Sequence, residues 1–97
     1  MKFENIKFNE TTMPQGIQAL VKFKDYELSI VKNDVSYGGK NGLYEIMVTK
    51  NDNQIELPGI TEQGDSVKGF LNESEVEGII KKMHLMSGAD PEVAWRV

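Results

Sequence analysis

The sequence predicts an α+β fold: an antiparallel four- to five-stranded sheet with one long C-terminal helix packed on one face. Three observations carry that reading. Two stretches fold into hairpins whose apolar positions coincide when paired, and a single amphipathic stretch near the C-terminus has the spacing of a helix. A lone sheet would leave its apolar face wet, and this helix is the one long apolar stripe available to cover it.

Taken in order, residues 2–8 carry Phe3, Ile6 and Phe8 at a spacing that breaks strict alternation, which suggests a bulged or edge strand. Residues 9–16, with Thr11, Thr12, Pro14 and Gly16, have the composition of a loop. Residues 17–23 alternate Ile17, Ala19, Val21 and Phe23 against Gln18, Leu20 and Lys22. Residues 26–32 alternate Tyr26, Leu28 and Ile30 against Glu27, Ser29 and Val31. A two-residue turn at Lys24-Asp25 pairs Phe23 with Tyr26, Val21 with Leu28 and Ala19 with Ile30, all on one face.

The same test applied to Tyr44, Ile46 and Val48 places a turn at Asn51-Asp52. It pairs Lys50 with Asn53, Val48 with Ile55 and Ile46 with Leu57. Asn and Asp tolerate the positive φ that a type I′ turn requires. Pro58-Gly59 ends the hairpin, and residues 59–69 read as irregular, so the sheet spans about 2–57 and a loop 58–71.

The helix is expected over 72–87. Asn72 with Glu75 forms a capping box, with Ser74 and Glu77 as the alternative. Glu73, Glu75 and Glu77 crowd the first turn, while Lys81, Lys82 and His84 sit in the last, both favourable to the helix dipole. Val76, Ile79, Ile80, Met83 and Met86 form the core stripe, and Gly88 closes the helix. The tail 88–97 holds Asp90-Pro91-Glu92, another cap signal, and Trp95.

Ninety-seven residues support one domain, and at this length folding buries roughly 60–65% of the unfolded chain's surface. There is no cysteine, which excludes disulfides and thiolate metal sites and favours a reducing compartment. No signal peptide or membrane-length apolar run is visible. The charge is uneven. Residues 1–50 hold seven Lys against six acidic residues, for +1; residues 51–97 hold three Lys and one Arg against nine, for −5. The negative half disfavours nucleic acid and suits a basic protein surface.

Catalytic constellations are sparse. His84 is the one histidine, and it reads as a solvated side chain at a helix C-terminus. Glu45 and Glu56 fall on solvent faces of their strands. Asn51-Asp52-Asn53 lacks the glycine and distal glutamate of a calcium loop. No metal, cofactor or catalytic residue is expected. The stretch Asn33-Asp34-Val35-Ser36-Tyr37-Gly38-Gly39-Lys40-Asn41-Gly42 is the best candidate site. Its glycines let backbone amides approach a ligand, Lys40 suits an anion, and Tyr37 either contacts a partner or packs on the sheet rim. Trp95, near the terminus, and the acidic group Glu73, Glu75 and Glu77 are further contact candidates.

The runs 28–31, 36–45 (SYGGKNGLYE), 67–71 (VKGFL) and 75–77 resemble small proteins encoded by tailed bacteriophages, over roughly residues 17–86. The resemblance implies expression in the cytoplasm of a bacterial host, and accessory proteins of that kind commonly bind and block host enzymes. It carries no catalytic residues. The expected function is therefore a non-catalytic protein-binding module, an inhibitor or modulator of a host protein such as an anti-CRISPR or anti-restriction factor acting on a nucleic-acid-processing complex. The alternative is a small-ligand or nucleotide-sequestering protein using residues 33–42. A small enzyme ranks last, since the sequence holds one His and no convincing acid–base pair; a homodimer, for instance through an edge strand at 2–8, is compatible with the sequence and would allow a composite site.

Overall fold

The computed structural model describes residues 2–88, so the tail carrying Trp95 lies outside the described residues. The strands are β1 (Asn9–Thr12), β2 (Gln15–Phe23), β3 (Tyr26–Asn33), β4 (Tyr44–Lys50), β5 (Asn53–Gln54) and β6 (Val67–Leu71), followed by the helix α1 (Glu73–Ser87). They form one antiparallel six-stranded sheet in the order β1-β2-β3-β4, with β5 and β6 sharing the far edge of β4. The α+β architecture is the one expected, with one more strand.

The first hairpin has the expected register: Phe23 faces Tyr26, Val21 faces Leu28 and Ala19 faces Ile30. At its turn, Lys24 takes the left-handed conformation, at φ 60°. In the second hairpin Asn51 and Asp52 both have positive φ, 51° and 69°, as a type I′ turn demands. This ladder is shorter than expected. Lys50 pairs with Asn53 and the Ile55 amide still donates to the Val48 carbonyl at 3.1 Å, but Ile46 pairs with Lys68 of β6 rather than with Leu57.

Two segments differ from the sequence reading. Residues 2–8 are not a strand: Phe3–Asn5 form one 3-10 turn, and Phe3 and Phe8 pack their rings against Tyr44 at 5.0 and 5.6 Å. Conversely, residues 9–12 lie in a strand and not a loop, paired with β2 through a turn at Met13-Pro14, whose peptide bond is cis. Within the stretch 58–71, residues 67–71 form β6.

α1 starts with the expected capping box. The Asn72 side chain accepts from the Glu75 amide at 2.8 Å, and the Glu75 carboxylate accepts from the Asn72 amide at 3.0 Å. The chain leaves the helix at Gly88, in the left-handed conformation. Asn72→Ala should lower stability by about 1 kcal/mol, readable as a shifted urea midpoint with unchanged slope.

Val76, Ile79, Ile80 and Met83 bury one face of α1. They meet Ala19, Val21, Phe23, Leu28, Ile30, Ile46, Val48 and Leu71 in a single core, which Ile6, Tyr44 and Ile60 complete. Met86, expected in the core stripe, is exposed and not part of this core. His84 is not solvated as expected: it is half-buried, its ring edge-on to Phe23 with centroids 4.8 Å apart.

Candidate functional site

Residues 33–42 are folded by their own side chains. The Asn33 carboxamide oxygen accepts from the amides of Val35 at 2.9 Å and Ser36 at 2.8 Å. The Ser36 hydroxyl accepts from the Asn33 amide at 2.9 Å and donates to the Asn33 carbonyl at 3.0 Å. The turn then tightens into a 3-10 segment, Gly39–Asn41, because Gly39 sits directly on this knot. A Cβ at position 39 would lie 1.8 Å from the Asn33 carbonyl oxygen and 2.5 Å from the Ser36 hydroxyl.

The loop is clamped to β6. The Phe70 amide donates to the Tyr37 carbonyl at 3.1 Å, and the Tyr37 amide donates to the Glu45 carboxylate at 2.7 Å. A Cβ at position 69 would lie 2.3 Å from the Cβ of Tyr37, so glycine is what lets the loop lie on the strand. Here β6 carries a bulge. Ile46 pairs with Lys68 and Tyr44 with Leu71, leaving Gly69 and Phe70 opposite the single residue Glu45.

That bulge holds Phe70 at φ 57°, a conformation uncommon for any side chain and costly for a bulky one. The strained residue is not buried in return. Phe70 is 59% exposed, Tyr37 60% and Val35 77%. These three exposed side chains, termed the crest below, stand on a hydrogen-bonded frame, and aromatic side chains are enriched at interfaces.

The other expected site residues separate into distinct roles. Asp34, Lys40 and Asn41 are exposed around the crest. Gly38 and Gly39 are structural. The amides of Gly39, Asn41, Gly42 and Leu43 all donate to carbonyls of the same loop, at 3.0–3.1 Å, so they are turned inward rather than toward an anion. The acidic helix start is not one free carboxylate surface. Glu75 closes the capping box, and Glu77 accepts from the Phe3 amide, tying the N-terminal turn to α1. The Glu73 side chain is exposed and joins no hydrogen bond among the described residues. Glu45 and Glu56 are likewise structural acceptors, the latter from the Gly64 amide.

Phe70 and Gly69 are the site residues that sequence reasoning missed. The available signal was the isolated glycine in the apolar run 67–71, which marks a bulge or a close backbone approach. Among the described residues no group of three His, Asp or Glu side chains is arranged to hold a metal, and no helix is long and apolar enough to cross a membrane. Compared with family models, curated proteins and solved structures, the chain matches none.

Proposed function

We propose that this chain is a non-catalytic protein-binding module whose contact surface is the crest of Val35, Tyr37 and Phe70. The observation that carries this reading is Phe70 itself, an aromatic side chain held exposed in a strained backbone conformation. Strain of this kind costs about 1–3 kcal/mol and persists where the surroundings over-determine it, most often at clamps and contact sites. Phe70 recovers little of that cost by burial within its own chain. The acidic second half favours a partner with a basic rim. The resemblance to small phage proteins directs the search to a bacterial host protein, such as a nuclease of bacterial immunity, which the module would bind and inhibit. A protein partner is preferred to a phosphate-bearing ligand because the amides of Gly39, Asn41, Gly42 and Leu43 are spent on the loop's own carbonyls.

Affinity capture from a bacterial lysate should return one stoichiometric host protein on the wild-type chain and little of it on Tyr37→Ala. That variant removes an exposed ring while keeping the backbone bonds of the clamp. A capture with no specific protein, or the same yield on both chains, would sink the proposal.

A further inference from the structure

Gly78 sits inside α1, where glycine is the least favourable of the ordinary residues. Nothing else in the described fold requires it there. Its φ is not positive, and among the described residues no atom lies within 4 Å of where a Cβ would stand, so it serves no close packing. What it does is open a groove of about 590 Å3 along the outer side of the helix, lined by Ser74, Glu77, Gly78, Lys81, His84 and Leu85. These residues recur at helical spacing, away from the core stripe of Val76, Ile79, Ile80 and Met83. A volume of that size is in the range of clefts that hold a drug-sized group. The apolar wall of the groove, Leu85, is 77% exposed.

We propose that this groove is the docking site of residues 89–97 of the same chain, with the ring of Trp95 lying on the bare backbone at Gly78. The reach fits. Gly78 precedes Gly88 by ten residues, about 15 Å along the helix axis. Trp95 follows Gly88 by seven residues, about 23 Å of extended chain, enough for a reversal and a return. Gly88 begins that reversal, since its left-handed conformation, at φ 72°, turns the chain off the helix axis.

Charge selects this segment. Two cations stand beside the path: Lys24, whose Nζ lies 3.5 Å from where a Gly88 Cβ would stand, and Lys81 in the groove. The segment brings Asp90 and Glu92 to them in its first half. Arg96, next to Trp95, then comes to Glu77 at the far end of the groove. Opposite charges thus meet on both sides of the ring. The indole N–H needs an acceptor when covered, and the Ser74 hydroxyl and Glu77 carboxylate line the same groove. The short tether holds the segment at an effective concentration on the order of millimolar, so modest contacts fill the site. Trp95 is then an internal anchor and not a partner contact. The groove shares no residue with the crest, and its occupancy does not depend on the partner proposed above.

Trp95 is the one tryptophan of the chain, so its fluorescence reads the contact directly. In the folded wild-type chain its emission should be blue-shifted, and its quenching by acrylamide several-fold weaker, relative to the same chain in urea. Both should be unchanged on dilution. Gly78→Gln fills the groove with a good helix former, and should move emission and quenching most of the way to the unfolded values while far-UV circular dichroism keeps the folded signal. Lys81→Glu should move them in the same direction, and keeps the test valid if Gly78→Gln does not fold. Leu20→Gln, on the sheet face away from α1, should leave Trp95 as in wild type. A wild-type Trp95 quenched as readily in the folded chain as in urea overturns the proposal. So does protection that survives both groove substitutions, that Leu20→Gln removes, or that dilution removes, because the ring is then covered by another surface or by a second copy.

Discussion

Gly39→Ala should cost about 3 kcal/mol and remove the crest as a binding surface, because the added methyl has no room and no flexible neighbour to displace. Its Cβ would fall 1.8 Å from a backbone carbonyl oxygen, that of Asn33, and 2.5 Å from the Ser36 hydroxyl that bonds the same residue. Relief requires opening the Asn33–Ser36 turn, which carries four side-chain hydrogen bonds and seats the loop on β6. Gly42→Ala is the control. Gly42 also has a positive φ, 76°, but nothing lies within 4 Å of a Cβ there. That variant should cost only the conformational penalty, about 1 kcal/mol. Urea unfolding of the two variants separates the effects. Equal losses would mean that crowding at the Asn33 carbonyl does not hold the loop.

Phe70→Gly should move stability and binding in opposite directions. Glycine adopts φ 57° without steric penalty, so the folded state gains up to about 1 kcal/mol, reduced by the added freedom of the unfolded chain and by the lost contact of the ring with Gly38. Binding should fall by more than about 100-fold, the loss typical of truncating an aromatic anchor at the centre of an interface. Phe70→Ala distinguishes the causes. It removes the ring but keeps a Cβ in the left-handed conformation, so it should lose the partner without the gain in stability. A Phe70→Gly chain less stable than Phe70→Ala would show that the bulge is not strained.

The parts legible in the sequence are those in which local chemistry and burial agree. The hairpin at Lys24-Asp25 could be registered because Phe23, Val21 and Ala19 all meet apolar partners on one face. The Asn51-Asp52 turn and the Asn72–Glu75 box announce themselves by residue type. β1 was hidden because its residues, Asn9, Glu10, Thr11 and Thr12, are mostly exposed; its place comes from backbone pairing to β2, which leaves no apolar pattern. β6 was hidden because the bulge at Gly69 and Phe70 breaks the alternation by one residue.

The candidate site was half legible for the same reason. The glycine-rich loop and Tyr37 stand out in the chain, whereas Phe70 becomes part of the site only through the amide it gives to Tyr37, 33 residues away. The carboxylates show the converse. Glu45 and Glu56 look like idle surface groups until folding brings each to a backbone amide in its own neighbourhood of the chain, and Glu77, a contact candidate by sequence, is instead bound to the distant Phe3 amide.

The most direct test of the crest as a contact surface is a paired capture from one bacterial lysate, with wild-type and Phe70→Gly chains as baits and the captured proteins quantified by mass spectrometry. The account predicts one stoichiometric host protein enriched on the wild-type chain and depleted on Phe70→Gly, although the variant is the more stable of the two. The same protein recovered equally on both baits, or no specific protein on either, would contradict it.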